Sequence, residues 1–237
     1  MNDLIVWILL IFLSFLPPLI YTIWIRNTEK YHREKWKSVA VCFLWGASIA
    51  VLAAFILEVL LEIQLFVSIR DEGMVSLVAV ILIAPVVEEL TKPLALRLKT
   101  VKKEIDELED GLIYGAVAGL GFSATENLLY GLDSLSEGLL FFFVLITMRS
   151  FGACLLHASA TALTGYGYGK TIMKRASILS VLPYFILAIF IHSFYNFLVS
   201  VDVVGVGVGL IVAFAFVAFT IRFVRKKIQM LDRQASS

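Results

Sequence analysis

The chain has few of the residues on which disulfide-rich and nucleic-acid-binding proteins depend. Its 237 residues include two cysteines, Cys42 and Cys154, which lie in apolar segments without paired spacing. This pattern excludes a disulfide framework or a thiolate metal site, and we interpret both cysteines as packing residues. The formal net charge is only +1, so we expect no nucleic-acid partner.

Apolar residues, in contrast, are abundant. Hydrophobic residues make up 60% of the chain, which is more apolar surface than a soluble domain of this length can bury. About 20 apolar residues cross a bilayer as a helix, and backbone groups in lipid must be paired within the segment. The sequence therefore predicts an all-α, polytopic membrane helix bundle, forming one domain over residues 1–237. About seven transmembrane helices are expected, at roughly 4–25, 38–60, 74–96, 111–131, 139–164, 178–200 and 203–223.

Lysine and arginine occur in alternate connections between these segments. They follow the first, third and fifth segments and recur in the tail, 224–237, whereas the other connections hold acids such as Asp133 and Asp202. The positive-inside rule then predicts an external N-terminus and a cytoplasmic tail in a multi-pass protein of the cell membrane. The basic residues of the three connections are Arg26, Lys30, Arg33, Lys35 and Lys37, then Arg97, Lys99, Lys102 and Lys103, then Lys170, Lys174 and Arg175.

Several charged and polar side chains fall inside the apolar segments. A charge at this depth costs at least about 2.5–3.5 kcal/mol, so such residues are rare and usually functional. Acids and imidazoles from four successive helices would supply the ligand types that zinc prefers, and a general base to activate water. These residues are Glu88, Glu89 and Lys92 in the third segment, Glu126 and Asn127 in the fourth, Arg149 and His157 in the fifth, and His192 and Asn196 in the sixth.

Helical spacing relates some of these residues to each other. Lys92 lies four residues after Glu88 and three after Glu89, so it shares a helix face with both. His192 and Asn196 are four residues apart and point the same way. Structural alternatives stay open, because the pair of Glu89 and Lys92 could only lock helix packing. His157 could be a hydrogen-bonded core residue, and Arg149 a structural counter-charge.

The predicted depths of the acids and histidines disagree. Counted from the predicted helix ends, Glu88 and His157 lie nearer the cytoplasmic side and Glu126 nearer the external side. At about 1.5 Å per residue this separation is too large for one metal site. Either the fourth helix begins later than residue 111, or Glu126 does not bind the metal directly, and we favour the first explanation.

Four motifs occur in a recognisable order. The first is EExxK, formed by Glu88, Glu89 and Lys92, and the second is FxxxEN, formed by Phe122, Glu126 and Asn127. The third is a single histidine in the next segment, His157, and the fourth is HxxxN, formed by His192 and Asn196. Together they resemble the PrsW family of intramembrane proteases, distant relatives of the CAAX prenyl endopeptidases. The resemblance covers about residues 85–200 and places the catalytic core at about 74–200. The CAAX-type relatives have a histidine in the second motif, where this chain has Glu126.

The resemblance implies an intramembrane endopeptidase of a prokaryotic plasma membrane. The resemblance further implies that this enzyme would be a metalloprotease and that its substrate would be a membrane-anchored protein, in some bacteria an anti-sigma factor. Glu88 would be the general base, Glu89 would be held by Lys92, and Asn196 would donate to the oxyanion. A divalent metal, expected to be zinc, would be bound by Glu126, His157 and His192. Supporting positions would be filled by Phe122, Lys92, Asn127 and Arg149.

Two other functions use the same residue types. A proton-coupled transporter also needs acids and histidines inside the membrane, although the sequence has no inverted repeat of the kind common in such carriers. A non-catalytic scaffold or immunity protein of the same fold would bind another membrane protein. Every motif position is filled here, which favours the enzyme.

Overall fold

The computed structural model describes residues 3–201 and 205–235, and every regular element within these ranges is helical. The predicted all-α fold is confirmed. Asp202, predicted to lie in an external connection, falls outside the described residues, and the predicted orientation stays a prediction. Six described helical stretches are long and apolar enough to cross a membrane: Leu4–Arg26, Trp36–Ile69, Glu72–Arg97, Leu139–Lys174, Ile178–Ser200 and Gly207–Ala235.

The first and third stretches match the predicted segments 4–25 and 74–96, and the second begins near its prediction but ends at Ile69 instead of residue 60. Irregular turns occur in the second and third. Each irregular turn is a π-helical segment, a feature often found near functional sites. In the third stretch, Pro85 follows such a turn and removes one backbone N–H from the helix. The bounds are α1 Asp3–Arg26; α2 Trp36–Trp45, π-helix Gly46–Ala50 and α3 Val51–Ile69; then α4 Glu72–Val78, π-helix Ala79–Ile83, α5 Ala84–Thr91 and 3₁₀ helix Lys92–Arg97.

A short helix α6, Lys99–Lys102, leads to α7, Leu108–Ser134, which corresponds to the fourth predicted segment. Glu107 caps α7 and Asp110 caps it reciprocally, which fixes its start. The expectation that this helix begins later than residue 111 is wrong. α7 is more polar than the six stretches above, and it can be so because it is buried along most of its length between α1, α2, α9 and α11.

The fifth predicted segment, 139–164, is longer than expected. It is divided at Gly152 and runs on to Lys174, so His157 lies near the middle of the whole stretch. This extension moves His157 away from the cytoplasmic end of its helix, while Glu88 and Glu126 keep their predicted places in their own helices. The alternative that Glu126 lies outside the metal ligands stays a prediction. The remaining bounds are 3₁₀ helix Leu135–Glu137, α8 Leu139–Phe151, α9 Ala153–Lys174, 3₁₀ helix Ile178–Val181, α10 Leu182–Ser200 and α11 Val206–Ala235.

Glycines let α7 and α9 pack closely. Gly111, Gly115 and Gly119 recur every four residues on one face of α7, and a methyl group at Gly115 would meet the Thr161 carbonyl oxygen at 2.5 Å. A methyl group at Gly119 would overlap the carbonyl oxygen of His157. Small residues permit this approach of two backbones in a membrane bundle. The glycine face therefore sets the position of His157 against α7.

Candidate active site

Three helical stretches bring two of the predicted acids, the lysine and both histidines into one buried cluster. α5 and the 3₁₀ turn after it carry Glu88, Glu89 and Lys92, while α9 carries His157 and α10 carries His192. Their exposures are 5%, 0%, 0%, 2% and 2%, respectively. Charged groups withdrawn from water to this degree need partners. The cluster must therefore be internally paired.

Lys92 lies at the centre of the cluster and contacts both glutamates and His157. Its Nζ donates to Glu89 Oε1 at 2.7 Å and to Glu88 Oε2 at 3.1 Å, and it lies 3.0 Å from His157 Nδ1. Two of the three ammonium hydrogens therefore donate to the two glutamates. The spacing argument that placed Lys92 on the same face as both glutamates agrees with these distances.

Glu89 is held on both of its oxygens. Oε1 accepts from Lys92 and lies 3.0 Å from His192 Nδ1, while Oε2 accepts from Thr161 Oγ1 at 2.9 Å. A fully bonded carboxylate orients its neighbours and is poorly placed to abstract a proton. Its contacts thus favour the positioning role over a direct catalytic one.

Glu88, His157 and His192 form a group that could hold a metal ion. Each offers one ligand atom, and these atoms lie within 4.8 Å of one another. The neutral His192 ring that donates from Nδ1 to Glu89 keeps its lone pair on Nε2, which lies 4.0 Å from Glu88 Oε2. Carboxylate-oriented histidines of this kind are typical of metal sites. Two imidazoles and a carboxylate suit zinc, so these residues fit the metal.

Glu126 lies at the edge of this group. Its Oε2 is 2.8 Å from His157 Nε2 and 2.9 Å from an Arg149 nitrogen. Arg149 also donates from Nε to Asn127 Oδ1 at 2.9 Å, and the Asn127 amide in turn contacts Cys154 Sγ. The sequence predicted Glu126, His157 and His192 as the metal ligands, whereas the group found in the structure contains Glu88 with the two histidines. The ligand role of Glu126 stays a prediction.

Asn196 reaches away from the cluster to a neighbouring helix. Its Nδ2 donates to the Val80 carbonyl oxygen at 2.8 Å, in the π-helical turn just before Pro85. A proline deprives a preceding carbonyl of its helical partner, and Asn196 supplies a substitute. The amide has a second hydrogen, so its predicted role toward the oxyanion stays a prediction.

A cavity of about 340 Å³ opens onto the cluster. Its walls include Glu88, Glu126, His157, His192 and Asn196. Phe122 lies behind it, with its ring centroid 5.7 Å from that of His157 and 4.9 Å from Lys92 Nζ. The cavity gives access to polar groups that are otherwise enclosed by apolar helices.

Two contributors to the site were missed from the sequence. Thr161 carries no charge, and only its helical distance of four residues from His157 could have indicated it. Glu58 in α3 had a clear signal, as an acid inside an apolar segment. One of its oxygens is buried without a hydrogen-bond partner, and Glu126 and Lys92 are near enough to act on it electrostatically.

The comparisons agree with these motifs. A family model described as PrsW family intramembrane metalloprotease matches residues 34–221. A protein named Protease PrsW, from Clostridioides difficile (strain 630), is 34% identical over 122 residues. That alignment covers 51% of this chain and 50% of the relative. No solved structure matches the chain.

Proposed function

The chain belongs to the PrsW family of intramembrane metalloproteases, and on this premise we propose that it hydrolyses a peptide bond of a membrane-anchored protein. The bond lies in or near the membrane segment of the substrate. An anti-sigma factor in a prokaryotic plasma membrane is the first substrate class to test. The observation that carries the proposal is the meeting of Glu88, His157 and His192 beside a cavity.

Glu88 is the proton acceptor in this proposal. One of its oxygens faces His192 Nε2 across 4.0 Å, a gap in which an atom can contact both. A water beside Glu88 attacks the carbonyl carbon of the substrate, its oxygen forms the new C–O bond, and one of its protons passes to the Glu88 oxygen that does not face His192. Glu88 then returns this proton to the amine nitrogen as the C–N bond breaks.

The family implies a divalent metal, and the charges around the cluster support one. Three carboxylates, those of Glu88, Glu89 and Glu126, face the two cations Lys92 and Arg149. The metal, which we propose to be zinc, would be held by Glu88, His157 and His192 and would supply Lewis acidity to the attacking water.

The remaining groups position these three. Glu89 holds His192 in the tautomer that presents Nε2, and Lys92 keeps Glu88 against His157. The free amide hydrogen of Asn196 and the guanidinium of Arg149 are the donors near the cavity that the oxyanion can use. One such donor contributes about 2.7–4 kcal/mol in other proteases.

Cleavage of a tethered transmembrane reporter in liposomes tests the proposal. Wild-type protein is expected to cut it, and Glu88→Gln to cut it at least about 100-fold more slowly, because the proton acceptor is lost. Glu72→Gln is the matched control, since Glu72 is an exposed glutamate at the start of the same helical stretch. Equal rates for wild type and Glu88→Gln would rule out the proposed role.

A further inference from the structure

A second group of acids lies at the end of the bundle that is predicted to be cytoplasmic. Here the connection between α1 and α2 meets the first turn of α7 and the last turns of α11. Glu29, Glu109 and Asp232 come from these three elements and are 0%, 1% and 2% exposed. Each offers one carboxylate oxygen, and these oxygens lie within 4.8 Å of one another. The three acids are called the acidic triad below.

The hydrogen bonds of the acidic triad leave part of it unpartnered. Asp232 accepts from the backbone N–H of Lys30 at 2.9 Å and of Tyr31 at 3.2 Å, and Glu29 Oε2 accepts from a backbone N–H at 3.2 Å. In contrast, Glu29 Oε1 and Glu109 Oε1 are buried without a hydrogen-bond partner. A buried carboxylate oxygen with no donor is costly, so these two oxygens point to a missing ligand.

Positive side chains do not neutralise the acidic triad. None of the ion pairs within residues 3–201 and 205–235 involves Glu29, Glu109 or Asp232. Nearby arginines of the connection bond to backbone oxygens instead, as Arg33 Nε does to the Glu29 carbonyl at 3.0 Å. The charge of the carboxylates is therefore not balanced by the side chains that surround them.

More acids surround the triad. Glu107 and Asp110 form a second group with Glu29 whose ligand atoms also lie within 4.8 Å. Glu34, which accepts from Tyr114, has a further buried oxygen without a partner. These further acids add negative charge around the triad, which favours a bound cation.

We propose that Glu29, Glu109 and Asp232 bind a hard divalent cation, Mg²⁺ or Ca²⁺, at a site separate from the candidate active site. An all-oxygen donor set of buried carboxylates is what these ions prefer, whereas the histidine-containing cluster suits zinc. The bound ion ties the first connection and the end of α11 to the start of α7. It stabilises the fold around the central helix, and it does not depend on the proposed protease activity.

Thermal unfolding of the full chain in detergent tests this site. After treatment with a chelator, Mg²⁺ or Ca²⁺ is added in separate titrations and unfolding is followed by tryptophan fluorescence. We expect at least one of the two ions to raise the Tm of the wild type by about 5–10 °C at about 100 times its Kd. The ion with the lower midpoint concentration is the one that the site prefers.

The variants locate the effect. Glu29→Gln and Glu109→Gln should lose the cation-dependent rise, because each removes a ligand while leaving Glu88, His157 and His192 intact. Glu109→Asp keeps the charge but shortens the reach, and should raise the midpoint concentration at least about tenfold. Asp133→Asn, an exposed acid at the other end of α7, should respond as the wild type does.

Two results would overturn the proposal. One is a wild-type Tm that neither cation raises. The other is a rise of equal size and midpoint in Glu29→Gln, Glu109→Gln and Glu109→Asp, which would place any bound cation elsewhere on the protein.

Discussion

Replacing Lys92 by methionine tests the charge balance of the cluster. Lys92 is fully buried, and its Nζ lies 2.7–3.1 Å from atoms of Glu88, Glu89 and His157. Methionine fills a similar volume but leaves two buried carboxylates without their cation. Removing one partner of a buried ion pair destabilises a protein by about 3–5 kcal/mol. For a chain of this size that corresponds to a fall in Tm of about 6–20 °C.

The assay is thermal unfolding of purified protein in detergent, with Lys103→Met as the control. The Lys103 side chain is 67% exposed and its ion pair with Glu104 spans 3.4 Å, so its loss should change stability by at most about 1 kcal/mol. The double variant Lys92→Met with Glu89→Gln should recover part of the lost Tm, because it removes one of the unpaired charges. A fall in Lys92→Met no larger than that in Lys103→Met would refute the argument that these carboxylates are buried and ionised.

Two further predictions concern Thr161 and the pH dependence of stability. Thr161→Val removes the donor to Glu89 and should lower the free energy of unfolding, measured by chemical denaturation, by about 1–3 kcal/mol. Thr164→Val is the control. It removes a buried hydroxyl without a hydrogen-bond partner, so it should leave the free energy of unfolding unchanged or raise it. In metal-free protein the pKa of Glu29 is raised from 4.5 to about 8 by burial, so the folded state binds the proton more tightly. The free energy of unfolding should then fall as the pH rises from about 5 to about 8. Thermal unfolding in the presence of a chelator measures this, and a Tm that stays level or rises over this range would contradict the prediction. The acids that face Glu29 are Asp110, Asp232 and Glu107.

Hydrophobic length predicted most of the fold. Both ends of the first, third and sixth segments lie within a few residues of the ends of α1, Glu72–Arg97 and Ile178–Ser200. The largest errors were at the ends of the seventh and fifth segments, since the helix of 203–223 continues to Ala235 and that of 139–164 continues to Lys174. The second of these helices runs through Gly165, Gly167 and Gly169, where glycines suggest an end. Those glycines instead allow close contact of α9 with α7 and with Tyr184, a tertiary effect that local sequence does not reveal.

The membrane cluster was predictable because its residues stand out in apolar segments. The detailed pairing was not, since the contact between Arg149 and Glu126 joins two helices whose relative rotation depends on packing. The acidic triad was missed for a further reason. Acids in connections are ordinary in a sequence, and Asp232 lies 202 residues from its backbone partner at Lys30. Only the folded chain indicates that these acids are buried.

The metal content of the purified protein tests the central claim most directly. Mass spectrometry of wild type, His157→Ala, His192→Ala and His32→Ala compares all three histidines of the chain, and His32 is the control because its side chain is 59% exposed. If Glu88, His157 and His192 meet at one ion, wild type and His32→Ala carry about one zinc per chain, and His157→Ala and His192→Ala lose it. Wild-type protein without bound metal, or His192→Ala with as much zinc as wild type, would contradict the claim.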